Sequence, residues 1–160
     1  MTIDKFAMAM QQERGYIGFG GSGFAILENF EILQIEGEKI CFSLKNESTD
    51  CISVYANIIE LQKQLKPQVF YTVVGGLGGT CGTEISTGLK FLKTNGYNYE
   101  VKIFMPFNFE GTRRTRIAQE QLNLINIITK PTVFYLSDYK KDYGHLLVGD
   151  FWLVCAKLII

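Results

Sequence analysis

Two rhythms of apolar and polar positions run along this chain. Short, nearly continuous apolar runs alternate with longer stretches in which apolar residues recur every three or four positions. The first rhythm suits strands buried on both faces, and the second suits amphipathic helices. The runs at residues 16–19, 39–45 (KICFSLK), 69–74 (VFYTVV), 99–105 (YEVKIFM) and 132–137 (TVFYLS) predict strands. Residues 24–35 predict a helix with Phe24, Leu27, Phe30 and Leu33 on one face, although the same letters could form a hairpin with KICFSL across Glu36-Gly37-Glu38. Residues 52–65 predict a helix carrying Val54, Ile58, Leu61 and Leu65 on one side, ended by Pro67. Residues 83–94 predict another, stopped by Asn95-Gly96, and residues 112–129 a third with Ile117, Gln121, Leu124 and Ile128 on one stripe. Residues 4–14 fit a short polar helix, and residues 145–160 a final helix apolar nearly all round, which implies burial on most sides.

Strand and helix therefore alternate five times. That order predicts a three-layer α/β sandwich: a mostly parallel sheet with helices on both faces. The 160 residues suit one domain, and no repeat, low-complexity segment or linker divides them. An apolar content of 47% is enough for a sizeable core.

Charge narrows the function classes. Sixteen basic and sixteen acidic residues cancel, which gives no basis for a nucleic-acid partner. Arg113, Arg114 and Arg116 form the one basic cluster, which by default is a solvated helix face. Cys41, Cys51, Cys81 and Cys155 are not spaced as metal ligands, and the single histidine, His145, has no companion, so no metal site is expected and His145 reads as a helix-start residue. The first residues lack a secretory pattern and no run is long enough to insert in a membrane, so a cytoplasmic protein with free thiols is expected. In that setting the sequon Asn46-Glu47-Ser48 has no meaning.

Two glycine-rich stretches carry the candidate chemistry. GFGGSG spans residues 18–23 and GGLGGTCG spans residues 75–82; each follows a predicted strand and opens a predicted helix. In a parallel sheet both lie at the carboxyl edge of the strands, where ligands bind. A glycine bend before a helix offers clustered N–H groups and the positive helix end, which suits a phosphate. Neither stretch is a Walker A motif, because no Gly-Lys-Ser/Thr follows. The first also fits the dinucleotide pattern G-x-G-x-x-G, with Glu36 and Glu38 near the spacing of the ribose-binding acid but ahead of the second strand.

Residues 105–114, MPFNFEGTRR, closely resemble the segment of FtsZ, the tubulin-like division GTPase of prokaryotes, that leads from its fifth strand into the next helix. GLGGTCGT resembles that family's signature loop, YIGFGGSG its first phosphate loop, and Ser48-Thr49-Asp50 its Asn-Thr-Asp after the second strand. The resemblance spans most of the chain and implies only the nucleotide-binding half of an FtsZ, ending within its central helix, with no second domain. It implies GTP or GDP, with magnesium, as the ligand. Gly20, Gly21, Ser22, Gly76, Gly78, Gly79, Thr80, Gly82 and Thr83 would line the phosphates, Glu110 and Arg114 would meet the sugar and nucleotide, and Phe151 would stack on the base.

Several departures follow from the same resemblance. Ser137 and Cys155 stand where the family reads guanine with an asparagine and an aspartate, and Asp138 is adjacent. Glu84 replaces the last glycine of the signature loop. Beside a phosphate at roughly 5 Å it would cost about 3 kcal/mol at an effective dielectric near 20. The glycine/alanine loop for the terminal phosphate and the acidic loop that completes a neighbouring subunit's site have no counterpart, so a lone copy is expected to hydrolyse GTP poorly or not at all. Partners would be the chain itself or a related FtsZ/tubulin-like protein, covering the apolar end LVCAKLII. Two alternatives stay open: an interaction module of the same fold that binds no nucleotide, and an enzyme that binds a dinucleotide through GFGGSG.

Overall fold

The computed structural model describes residues 13–107, 110–138 and 148–160. Residues 4–12 of the predicted helix over 4–14 and His145 lie outside the described residues, as do Asn108 and Phe109 of the PFNFEG string; Arg14, expected at the end of that helix, instead begins the first strand. Six strands, β1 (Arg14–Phe19), β2 (Glu38–Phe42), β3 (Ser53–Tyr55), β4 (Phe70–Gly76), β5 (Asn98–Met105) and β6 (Thr132–Tyr135), form one sheet in the order β3-β2-β1-β4-β5-β6. Every neighbouring pair is parallel. The helices are α1 (Gly20–Ile32), α2 (Ile58–Lys63), α3 (Gly82–Thr94), α4 (Thr112–Ile128) and α5 (Val148–Ile159).

The register sorts each strand's side chains onto two faces. Ile40, Ile17, Val73 and Val101 stand in one row, and they share a core with Leu61 of α2, Ile85 and Leu89 of α3 and Leu122 and Ile125 of α4. On the opposite face Cys41, Val74 and Phe104 pack with Ile26, Leu27 and Phe30 of α1 and with Cys155, Ala156 and Ile159 of α5. Two apolar layers thus sandwich the sheet, the three-layer α/β architecture that the alternating pattern predicts.

Three expectations need correction. Residues 52–65 are not one helix. Ser53–Tyr55 joins the sheet as β3, beside β2, and the helix begins only at Ile58, where the Asn57 carboxamide accepts N–H bonds from Ile59 (2.8 Å) and Glu60 (3.3 Å). A strong N-cap outweighs the helical spacing of the residues before it. The buried stripe of α4 is Ala118, Gln121, Leu122, Ile125 and Ile128, while Leu124 is 46% exposed. The stripe expected from Ile117 and Leu124 is rotated towards Ala118 and Leu122, the side that packs on the sheet. Finally, α5 is fully buried along one side and half-buried around much of the rest. Cys155, Ala156 and Ile159 are covered, Phe151 to Val154 are half-buried, and Lys157 and Ile160 face solvent.

The strand order matters most for function. Numbering runs outward in one direction from β1 to β3 and in the other from β4 to β6. The chain leaves β1 and β4 towards opposite faces of the sheet, α1 on one and α3 on the other. A crevice must therefore open beyond their carboxyl ends. Both glycine-rich turns lie at this switch point.

Candidate functional site

β1 runs straight into α1 at Gly20, whose φ of +74° is a left-handed conformation suited to glycine. No side chain caps α1, and its first turn holds no acidic residue. α3 likewise begins at Gly82 without a side-chain cap. The capped start of α2 is the contrast. In α1 and α3 the first N–H groups have no intrahelical partner, and the positive helix ends are turned towards the crevice.

The two turns touch. The Gly76 N–H donates to Ser22 Oγ at 2.9 Å, and a Cβ built on Gly20 would stand 3.2 Å from Cys81 Cβ. Between them lies a cleft of about 1130 Å³. Of the thirteen residues expected at a nucleotide site, twelve line it: Gly20, Gly21, Ser22, Gly76, Gly78, Gly79, Thr80, Gly82, Thr83, Glu110, Arg114 and Phe151. Ser137 is half-buried and stands outside the lining, as does the exposed Asp138. Cys155 is buried in the α1–α5 core, where desolvation pushes its thiol up to about 12.

The cleft is lined by two chemically distinct sets of residues, glycine turns with cationic side chains and a cluster of aromatic rings. At the glycine turns the N–H groups of Gly79, Thr80 and Cys81 have no acceptor among the described residues. Space within 4 Å of a Cβ built on Gly21 or Gly79 is empty. Among the described residues, Lys45, Arg113 and Arg114 line the cleft and outnumber the one lining carboxylate, Glu110. Glu110 turns back on its own loop, accepting the Phe107 N–H with one oxygen and facing Arg114 Nε at 3.3 Å with the other. Phe107, Phe151 and Trp152 also line the cleft, with ring centroids 5.4 Å apart in each successive pair. Glu84 sits in the first turn of α3 but is not among the lining residues.

Several lining residues are not legible from the glycine pattern. Ser43, Leu44, Lys45 and Asn46 reach the cleft from the end of β2, which adjoins β1. The Ser48-Thr49-Asp50 string, by contrast, builds a turn. Thr49 Oγ1 accepts the N–H groups of Cys51 (3.2 Å) and Ile52 (3.0 Å), and Ser48 Oγ accepts that of Val54 at 2.8 Å. A polar residue in the first turns after each central strand is the signal that points to Lys45; Gln121 has no such signal.

Glu36 and Glu38 settle the place of the dinucleotide acid. They border a separate hollow of about 400 Å³ with Arg14 and Lys66, at the amino end of β2. Neither lines the glycine cleft. Among the described residues no three His, Cys, Asp or Glu side chains converge as metal ligands. No described helix is long and apolar enough to cross a membrane.

No family model matches the sequence, and no curated protein matches it. Solved structures do. The empty FtsZ dimer of M. jannaschii superposes with a TM-score of 0.74 at 15% identity, covering 99% of this chain and 57% of that one. A tryptophan-to-tyrosine mutant of FtsZ from the same organism gives 0.72 at 18% identity, with the same two coverages. CetZ from Methanosaeta thermophila gives 0.67 at 15% identity, covering 90% and 52%. The chain thus has an FtsZ/tubulin-like fold and spans little more than half the length of these neighbours.

Proposed function

We propose that this chain binds a guanine nucleotide, GTP or GDP, in the cleft beyond β1 and β4. In this reading the phosphates lie against the glycine turns and the base against Phe107, Phe151 and Trp152. The observation that carries it is the meeting of two glycine turns at the switch point. Both open uncapped helices, and the rim between them bears three cationic side chains and one carboxylate. The residues fit the ligand. Gly21 and Gly79 leave the backbone open to close approach, and Thr80, Thr83 and Ser22 place hydroxyls along the same wall. Base stacking on an aromatic is sequence-tolerant and worth about 1–3 kcal/mol, so the aromatic cluster supplies affinity rather than guanine selectivity.

Hydrolysis by the lone chain is expected to be weak or absent. β3 passes to α2 through only Ala56 and Asn57, and Asn57 is spent on capping, so nothing there reaches towards a terminal phosphate. The chain would then act by assembling with itself or with a related filament protein, a reading supported by the fold shared with the FtsZ structures. Calorimetric titration with GDP and GTP tests the nucleotide reading, with Trp152 fluorescence as a second readout. ADP and NAD are the comparators. Saturable GDP binding that quenches Trp152 is expected, and heat-free titrations with both guanine nucleotides would overturn it. The placement of Ser137 outside the cleft and of Cys155 in the core favours a second reading, an interaction module that binds no nucleotide. That reading takes over if no nucleotide binds.

A further inference from the structure

Gln121 sits midway along α4, two turns after Arg114, and points from the helix into the second glycine turn. It is 5% exposed, one of the few polar side chains buried in the molecule. Its carboxamide is used at both ends. The Gly78 N–H donates to Oε1 at 2.8 Å, and Nε2 donates to the Gly79 carbonyl at 3.0 Å, with Thr83 Oγ1 at 3.5 Å. The side chain also fills the space where residue 82 would carry a Cβ. Such an atom would stand 2.4 Å from Oε1, so Gly82 is a glycine because Gln121 is there. The same helix face presses Arg114 onto the turn. A Cβ on Gly78 would meet Arg114 Cγ at 2.7 Å, and Gly78 already holds a left-handed φ of +97°.

We infer that Gln121, which itself lines the cleft, is a positioning residue, a latch that fixes the second glycine turn in its ligand-receiving shape. An isolated run of glycines is costly to order, because each loses more backbone freedom than any other residue. A site that must order its own turn on binding loses that much affinity. Here the carboxamide takes up the inward-facing N–H of Gly78 and the Gly79 carbonyl. The amides of Gly79, Thr80 and Cys81, residues that line the cleft, are left without an acceptor among the described residues. The turn therefore needs no anion to hold its shape, and α4 sets the geometry of a site to which it otherwise contributes at Arg113, Arg114 and Ile117. This inference rests on the nucleotide reading above.

Two substitutions and one control test it on the full chain, with GDP as the probe. Gln121→Met keeps the volume but loses both hydrogen bonds; GDP binding is expected to weaken about tenfold when measured well below the melting temperature. Leu122→Ala, the adjacent core residue, should lower the melting temperature by at least as much and leave GDP affinity unchanged. Gln121→Glu keeps an acceptor for Gly78 but repels the Gly79 carbonyl and the phosphates. Its GDP affinity should fall as pH rises through the carboxyl's titration, relative to the wild type measured over the same range. That variant also serves if Gln121→Met does not fold, since at low pH its carboxyl is neutral and close to glutamine in shape. Wild-type GDP binding with unchanged affinity in both Gln121 variants would overturn the latch. Failure of the wild type itself to bind GDP would overturn the nucleotide reading and the latch with it.

Discussion

The turn after β1 is held by its own backbone, whereas the turn after β4 is held by a neighbouring helix. In the first, one left-handed glycine carries the chain directly from strand to helix, and Cys41 touches it from β2 with Sγ 3.8 Å from the Gly20 carbonyl oxygen. In the second, five residues, Leu77 to Cys81, separate the last strand residue, Gly76, from α3 at Gly82. That longer path needs Arg114 and Gln121 to hold it. A short turn inherits its shape from the elements at its two ends, while a longer one needs contacts of its own.

Gly78→Ala should break the supported turn most severely. It combines a left-handed φ with a Cβ pressed on Arg114, and a loss of about 1–3 kcal/mol is expected in chemical denaturation. Gly20→Ala meets only Cys81 Cβ at 3.2 Å, so the unsupported turn should lose less, about 1–2 kcal/mol for the left-handed backbone alone. A larger loss for Gly20→Ala would reverse the comparison. Asn57→Ala removes the cap that α1 and α3 lack, and should cost about 1 kcal/mol of stability without altering GDP binding. Gly79→Ala meets nothing within 4 Å and should change stability by less than about 0.5 kcal/mol. Its added methyl would stand where a phosphate approaches, so weaker GDP binding at unchanged melting temperature is its signature.

The thiols sharpen the same contrast with the smallest perturbation. Cys41, behind the first turn, is pushed up to about 12 by burial and by the nearby Cys81. Cys81 is half-buried in the second turn and lines the cleft. At about pH 8 iodoacetamide should modify Cys81 and the exposed Cys51 while sparing Cys41 and Cys155. Saturating GDP should slow modification of Cys81 alone, as read by peptide mass spectrometry; equal protection of Cys51 would point to a global rather than a local effect.

Much of the site is legible in the sequence because glycine marks it directly. A run such as GLGGTCG between an apolar strand and an amphipathic helix has few explanations, and the parallel order brings both runs to one rim. β3 was less legible, since Ile52, Val54 and Ile58 satisfy helical and extended spacing alike. The usable signal was Asn57 with Glu60 three residues on, a helix-start pattern that places the boundary after the strand. Gln121 appeared only as a polar member of a predicted apolar stripe. Nothing local names its partners, which lie 42 and 43 residues away along the chain.

The sequence by itself determined the alternation of strand and helix, the parallel sheet that follows from it, and the two bends where glycine is required. These depend on neighbours within a few residues, through periodicity, β-branching and backbone freedom. Only the tertiary structure decided that β3 joins the sheet, which way α4 rolls, and that a glutamine holds the second turn. Those outcomes rest on contacts between segments far apart in the chain, where the burial of one side chain is settled by the shape of another.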